Sequence, residues 1–513
     1  MKDIVLFFEV HQPYRLDRRM HEKLVEKAIR GTLEIKDLED VLFDQGLNKL
    51  VMEKAASKCY IPASSIILEN IKKYRDSDRK FMVSFGISGI FVEQAMRWVP
   101  RVVELFQEIA NTGCAELVAQ TYYHSMASLI PGYRELREQV DMHVKLLKSV
   151  FGVEPVTVEN TEFIYNNDMA CELYSAGFKV ILTEGVDHVL GWRNPNFVYR
   201  GYHCDIRILT RNYRLSDDVG FRFSNVAWDQ YPLTPGKYAS WLAATPGDVI
   251  LIAMDYETFG EHHWPETGIH DFLKWLPGEV LKYNHLKFST PSLAAFEHPA
   301  VDVYNVPPWS TISWADERDT SPWLGNSLQK NAFNMLLDLR RYVDALEDPH
   351  LLRLWRLLTV SDHFYYMATK FGSFEEVHKY FSPYKNAVDA YTLYVQSLAV
   401  LFYIVAERAR REPSRLIRNL VLPPERGFHF KCTEDGTLPL TATSIKEFLS
   451  ILKIIPANCF VKHLNNGDIQ RWLRDTYFLE GLYRELDEIA RVEASPEEKR
   501  LLVLKAIEKY LFP

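Results

Sequence analysis

Seven short apolar runs punctuate the first half of the chain, each of strand length: DIVLFFEV (3–10), KFMVSFGI (80–87), AELVAQT (115–121), VTVENTEF (156–163), KVILTEG (179–185), DIRILTR (205–211) and DVILIAM (248–254). Between most of them the apolar spacing turns helical, as in WVPRVVELFQEIANTG and YRELREQVDMHVKLLKSVFG, the latter ending at Gly152, a residue suited to a helix C-cap. Strands separated by helices need crossover connections, and crossovers give a parallel sheet.

Polar residues gather where these runs stop: Glu9 and His11, Ser88 and Glu93, His124, Glu162, Glu184, Arg211 and Asn212, then Asp255 and Glu257. Any one polar strand end reads as an ordinary surface loop. Seven together predict a site, because all strands of a parallel barrel point the same way and deliver their carboxyl ends to one face. An open doubly wound sheet collects its ligand groups in the same manner. No G-x-G-x-x-G opens the first helix, which weighs against dinucleotide binding.

Length and composition narrow the class. A chain of 513 residues predicts more than one domain. With 47% hydrophobic and 25% charged residues it reads as soluble and globular, and a net charge of -8 gives no general basic footprint for nucleic acid. The cluster Arg408 to Arg411 reads as a solvated helix end. No run approaches the roughly 18 consecutive apolar residues that span a bilayer, and the apolar start MKDIVLFFEVHQPYRL lacks a small-residue cleavage site. A cytoplasmic location with no membrane partner is the expectation. The six cysteines form no C-x-x-C pair and are expected to be buried thiols.

Beyond the strands, residues 325–411 carry long helical periodicities (LQKNAFNMLLDLRRYVDALED, YTLYVQSLAVLFYIVAERARR), and a proline-marked connection follows at 412–427. A small, mainly α domain is expected over 425–513, with Ser444 and Glu447 at capping-box spacing and His463 and Asp468 in structural roles.

Four stretches carry a family resemblance: FEVHQPYRL, NTEFIYNND (160–168), MDYETFGEHHW (254–264) and SDHFYYM (361–367). In order and spacing they resemble the motif series of glycoside hydrolase family 57, the α-amylase and 4-α-glucanotransferase family. RNYRLSDDVGFRFS (211–224) and SWADERDTSPWLGNSLQ (313–329) are similar to its α-amylase-type branch; GISGIFVEQ matches more weakly.

The resemblance implies an α/β fold: an incomplete seven-stranded parallel (β/α)7 barrel over 1–300, a helical region over 301–411 completing the cleft, and the 425–513 accessory domain. It implies a retaining glycoside hydrolase acting on starch, glycogen or maltooligosaccharides, with Glu162 as nucleophile and Asp255 as general acid/base. Such a mechanism needs two carboxyl groups about 5 to 5.5 Å apart and opposite protonation states for them. His11 resembles the family's substrate-binding histidine, Glu9 stands where many relatives have a second histidine, and Asp362 matches an acid that holds sugar hydroxyls. Glu257, His124, His263, Trp264 and Trp323 complete the expected substrate-binding set. Glu257 is read as pointing to the same side as Asp255, two positions along the strand, where its charge would favour the protonated acid, or else as a salt bridge at the barrel rim. Glu261, His262 and His263 are adjacent and poorly placed to share an ion, so no metal and no cofactor are expected. Two alternatives stay open: a 4-α-glucanotransferase using the same intermediate, or a carbohydrate-binding or regulatory protein on the same fold. The sequence leaves the oligomeric state open.

Overall fold

The computed structural model describes residues 1–30, 34–369, 382–431 and 440–511. The predicted strands form, in chain order, β1 (Lys2–Val10), β2 (Val83–Ile87), β3 (Ala115–Val118), β4 (Thr157–Glu159) and β5 (Val180–Glu184). An unpredicted β6 (Val198–Arg200) intervenes before β7 (Arg207–Arg211) and β8 (Val249–Asp255). Two further unpredicted strands, β9 (Leu286–Ser289) and β10 (Asp302–Val303), follow. These three extra strands span two to four residues, too short to print an alternation in the sequence.

The seven predicted strands make a nearly closed parallel barrel, β1-β2-β3-β4-β5-β7-β8 and back to β1. Its seams are thin. β3 meets β4 through one bridge, Ala119 with Val158, and β7 meets β8 at one pair, Arg211 with Leu251. β9 pairs with the first half of β1, β6 runs antiparallel along β7, and β10 extends β6. Alternation along β1 sorts its side chains: Val5 and Phe7 pack in the barrel interior, whereas Ile4, Leu6, Phe8 and Val10 pack under the surrounding helices.

The predicted helices appear as Pro100–Ala110, with proline at its first turn, and Arg134–Phe151, closed by Gly152 at φ 68°. The chain partitions into two compact units along different lines from the sequence boundaries: one of Met1–Thr32, Glu39–Phe333 and Arg356–Tyr394, the other of Leu33–Leu38, Asn334–Trp355 and Val395–Pro513. The cuts fall inside the helices Ser327–Leu346 and Ala387–Arg411, since packing partners and not sequence order define a unit. Ala387–Arg411 is long and apolar enough to cross a bilayer, with a mean hydropathy of 1.5 over its most apolar window, half of which is buried within protein.

In the second unit a short antiparallel pairing of Phe428–His429 with Thr441–Ala442 and five helices between Ile445 and Leu511 enclose a separate core. Ser444 Oγ accepts from the Glu447 amide at 3.2 Å, and the Glu447 carboxylate accepts in return from the Thr443 amide at 2.7 Å. His463 is structural, bonded to the Lys431 amide and to Asp468. The expectation of free thiols is corrected for Cys171 and Cys204, which form a disulfide; the helix Asn167–Ser175 and the turn after β6 bring their Cα atoms to 5.4 Å, a proximity with no trace in their spacing. Cys459 is disulfide-bonded as well; Cys59 and Cys114 are free and buried, and Cys432 lies outside the described residues.

Candidate active site

Glu9 and Asp255 are register partners on neighbouring strands β1 and β8, so both carboxyl groups leave the sheet on the same side. Asp255 ends β8. Glu162 lies past the end of β4, which stops at Glu159 instead of running on through Phe163, in a 3-10 turn where Glu162 and Phe163 have φ of 61° and 52°. Left-handed backbone at consecutive non-glycine residues is strained. Contacts hold it: the Trp314 amide donates to the Glu162 carbonyl at 3.1 Å, and Trp314 Nε1–H donates to Glu162 Oε2 at 2.7 Å.

Burial, then the charge of Glu162, pushes Asp255 up to about 7, so it carries a proton at mildly acid to neutral pH. His124 and Arg211 oppose that rise. His124, at φ 49°, faces Glu162 Oε1 across 3.8 Å and stacks on His11 at 4.1 Å between centroids. Burial alone would lower His124, but Glu162 and Glu9 raise it to about 9. His11 is lowered to about 4 by burial and by His124. It is therefore a neutral imidazole, with Nδ1 at 2.8 Å from Ser88 Oγ and Nε2 at 3.1 Å from Asp362 Oδ2. Asp362 arrives on the short helix Ser361–Tyr365, whose start is tied down by the Ser361 amide on the His124 carbonyl. Burial opposes its ionisation, yet the bond from His11 and the His124 cation hold its carboxyl below the usual range.

The expected set thus divides. Glu162, Asp255, His11, His124 and Asp362 come together, with Glu9 buried beneath them at 3% exposure. Glu257 departs from its expected place: the strand ends at Asp255, a 3-10 turn breaks the two-residue alternation, and its carboxyl receives the Tyr60 hydroxyl. Burial, then Asp255, pushes Glu257 to about 8, so it is neutral at pH 7 and supplies neither a charge nor a rim salt bridge. His263 is buried with Nδ1 on Ser224 Oγ and Nε2 on the Val219 and Gly220 carbonyls, leaving no ring nitrogen for a sugar. Trp264 is exposed under the Lys58 ammonium, and Trp323 is buried behind Tyr365.

Sequence reasoning missed Trp314, Gln120 and Tyr365. Tyr365 senses the charges of both Glu162 and Asp255, which together with burial raise it. Behind Trp314, buried Glu184 binds both Arg211 and Arg318 at 2.9 Å, and Arg318 donates to the Trp314 carbonyl at 2.6 Å, anchoring the loop that carries the indole. Among the described residues, His and acidic ligand atoms converge only at Asp3, Glu297 and His298. That group lies at the opposite end of β1, where the Lys287 ammonium already pairs with Asp3 and Glu297.

A protonated carboxyl and a second, firmly held carboxyl thus stand at the carboxyl end of a parallel barrel, the face where barrel enzymes carry their sites. The chain belongs to glycosyl hydrolase family 57, whose model matches residues 5–307. It is 43% identical over 417 residues, 79% of this chain and 85% of the other, to a protein of Methanocaldococcus jannaschii provisionally named as an alpha-amylase. Three solved structures share the fold at low identity. They are the 4-alpha-glucanotransferase of Thermococcus litoralis (14% identical, TM-score 0.54, 85% of this chain and 62% of that one), a family 57 branching enzyme of Thermococcus kodakaraensis (13%, 0.55, 79% and 94%) and an alpha-amylase of Thermotoga maritima (15%, 0.51, 80% and 95%).

Proposed function

We propose that the chain cleaves α-glucosidic bonds of starch, glycogen or maltooligosaccharides with retention of configuration. The observation that carries this reading is the unlike treatment of two neighbouring carboxyl groups. Burial and the Glu162 charge keep a proton on Asp255 up to about pH 7, while the Trp314 indole and His124 present donors to Glu162. In this reading Glu162 attacks the anomeric carbon as Asp255 protonates the departing glycosidic oxygen. Asp255, now ionised, then takes a proton from the acceptor as the glycosyl ester is broken. Asp362 holds sugar hydroxyls beside the cleaved bond, its carboxylate oriented by the bond from His11.

Water as acceptor gives hydrolysis; a sugar hydroxyl gives 4-α-glucanotransfer through the same intermediate. A relative 43% identical over 417 residues bears a provisional alpha-amylase name, which favours water. Chromatography of products from starch and from a single maltooligosaccharide decides between them. Shorter products with new reducing ends support hydrolysis, and a ladder of longer and shorter chains at constant reducing power indicates transfer.

A further inference from the structure

Glu9 lies inside the barrel, almost fully buried. Its Oε1 accepts from Gln120 Nε2 at 2.8 Å and is 3.4 Å from His124 Nδ1. Around Oε2 the space is closed: a Cβ at Gly86 would come within 3.0 Å of it and 2.8 Å of Phe7. Because the Gln120 amide nitrogen donates to Glu9, its oxygen faces His124 Nδ1, at 3.0 Å. Nδ1 therefore meets two acceptors, Glu9 and Gln120, and must carry hydrogen. Nε2 faces a third acceptor, the Glu162 carboxylate. An imidazole whose two nitrogens both face acceptors is an imidazolium.

The titratable groups around this ring come from several elements: Glu9 and Asp255 from β1 and β8, Glu159 and Glu162 from β4 and its exit, Asp362 from the helix Ser361–Tyr365, and neutral His11 stacked on its face. Among the described residues no amide, hydroxyl or cation reaches the Glu159 carboxyl, and the group it faces is Glu9. Burial pushes both carboxyls up, and Glu159 adds to the rise at Glu9, so between them they hold at least one proton beside His124.

We propose, resting on the reading of Glu162 as nucleophile, that Glu9 is a positioning residue: directly and through Gln120 it holds His124 as an imidazolium with Nε2–H directed at the Glu162 carboxylate. The gain falls in the second half of the reaction. There the bond from the anomeric carbon to Glu162 breaks, its electron pair returns to the carboxyl group, and the acceptor's proton passes to Asp255. A cation beside the departing carboxylate stabilises it.

The test uses the full-length protein labelled with [13Cε1]histidine, the His124 signal among 16 histidines being assigned by its loss in His124→Gln. In the wild type this signal titrates near the value of about 9 that its neighbours impose. In Glu9→Gln it moves down by about one pH unit or more, and kcat on maltooligosaccharides falls by about 10-fold or more with KM changed less than about 2-fold. Glu9→Asp, which keeps a carboxyl group at this position, retains the high titration and recovers part of kcat. If Glu9→Gln does not fold, Gln120→Met removes the bridge and is judged by the same titration and the same kcat-against-KM split. An unmoved His124 titration overturns the proposal, as does a raised KM at unchanged kcat, the signature of a sugar contact. Failure of the underlying reading shows separately, as full activity of Glu162→Gln.

Discussion

Asp255 works as an acid only while protonated, and two causes keep it so: little water reaches its carboxyl, and the Glu162 charge stands nearby. Its raised value sets the alkaline limb of activity. For natural glucans kcat/KM should fall as pH rises through about 7, because the leaving oxygen then goes unprotonated. With an α-glucosyl fluoride, whose leaving group needs little protonation, that limb should be much weaker; equal limbs for both substrates would remove Asp255 from the acid role. Sequence order made Glu162, Asp255, His11 and Asp362 legible, since each lies in a recognisable stretch. Trp314 was not: it stands in the stretch SWADERDTSPWLGNSLQ, but a resemblance there does not show that its indole meets Glu162 across a separation of 152 residues. Glu257 was misread because strand alternation was extended one turn past the end of β8.

At the scale of elements, the turn that carries Glu162 is held by the segment from Tyr304 to Trp314. Ile312 and Tyr165 exchange two backbone bonds at 3.0 Å, and Asn166 Nδ2 donates to Thr311 Oγ1 at 3.0 Å. A left-handed turn of this kind left to itself would relax. Trp314→Phe keeps an aromatic ring beside Phe163 but deletes the Nε1–H bond to Glu162. A hydrogen bond to a charged group is worth about 1.5 to 3 kcal/mol, so kcat should drop by roughly 10- to 100-fold with the unfolding midpoint little changed. Unchanged turnover would show that the turn holds Glu162 without the indole. The seven barrel strands were legible because each is an apolar run closed by polar residues. β6, β9 and β10 escaped because their pairing on existing edges, not their composition, makes them strands.

Across the whole molecule the buried titratable groups act together. Asp255, Glu159 and Glu257 are raised to about 7, 8 and 8, and His124 to about 9, so the native state binds protons that the unfolded chain releases earlier. Stability held through these groups is present at low pH and lost as pH climbs through their native values. His11, His143 and His363, lowered to about 4, act oppositely below about 6.5. The unfolding midpoint should therefore fall steadily from about pH 6.5 to about 9, and Glu159→Gln should flatten that fall; a midpoint independent of pH in this window would contradict the charge states assigned here. Domain division was less legible than fold class. The prolines predicted a connection at 412–427, but that stretch carries the helix Pro413–Asn419 and lies within the second unit, and the division within the helical region depends on packing partners that periodicity does not identify.

The division of labour between Glu162 and Asp255 is tested most directly by azide rescue with an α-glucosyl fluoride. Asp255→Asn should still form the glycosyl-enzyme from this activated donor, and azide, which needs no general base, should release it as the α-glycosyl azide. Glu162→Gln should form no glycosyl-enzyme, and any product that azide gives there should be of β configuration. The reverse pairing, the β-azide from Asp255→Asn and the α-azide from Glu162→Gln, would show that the two carboxyl groups have been assigned each other's roles.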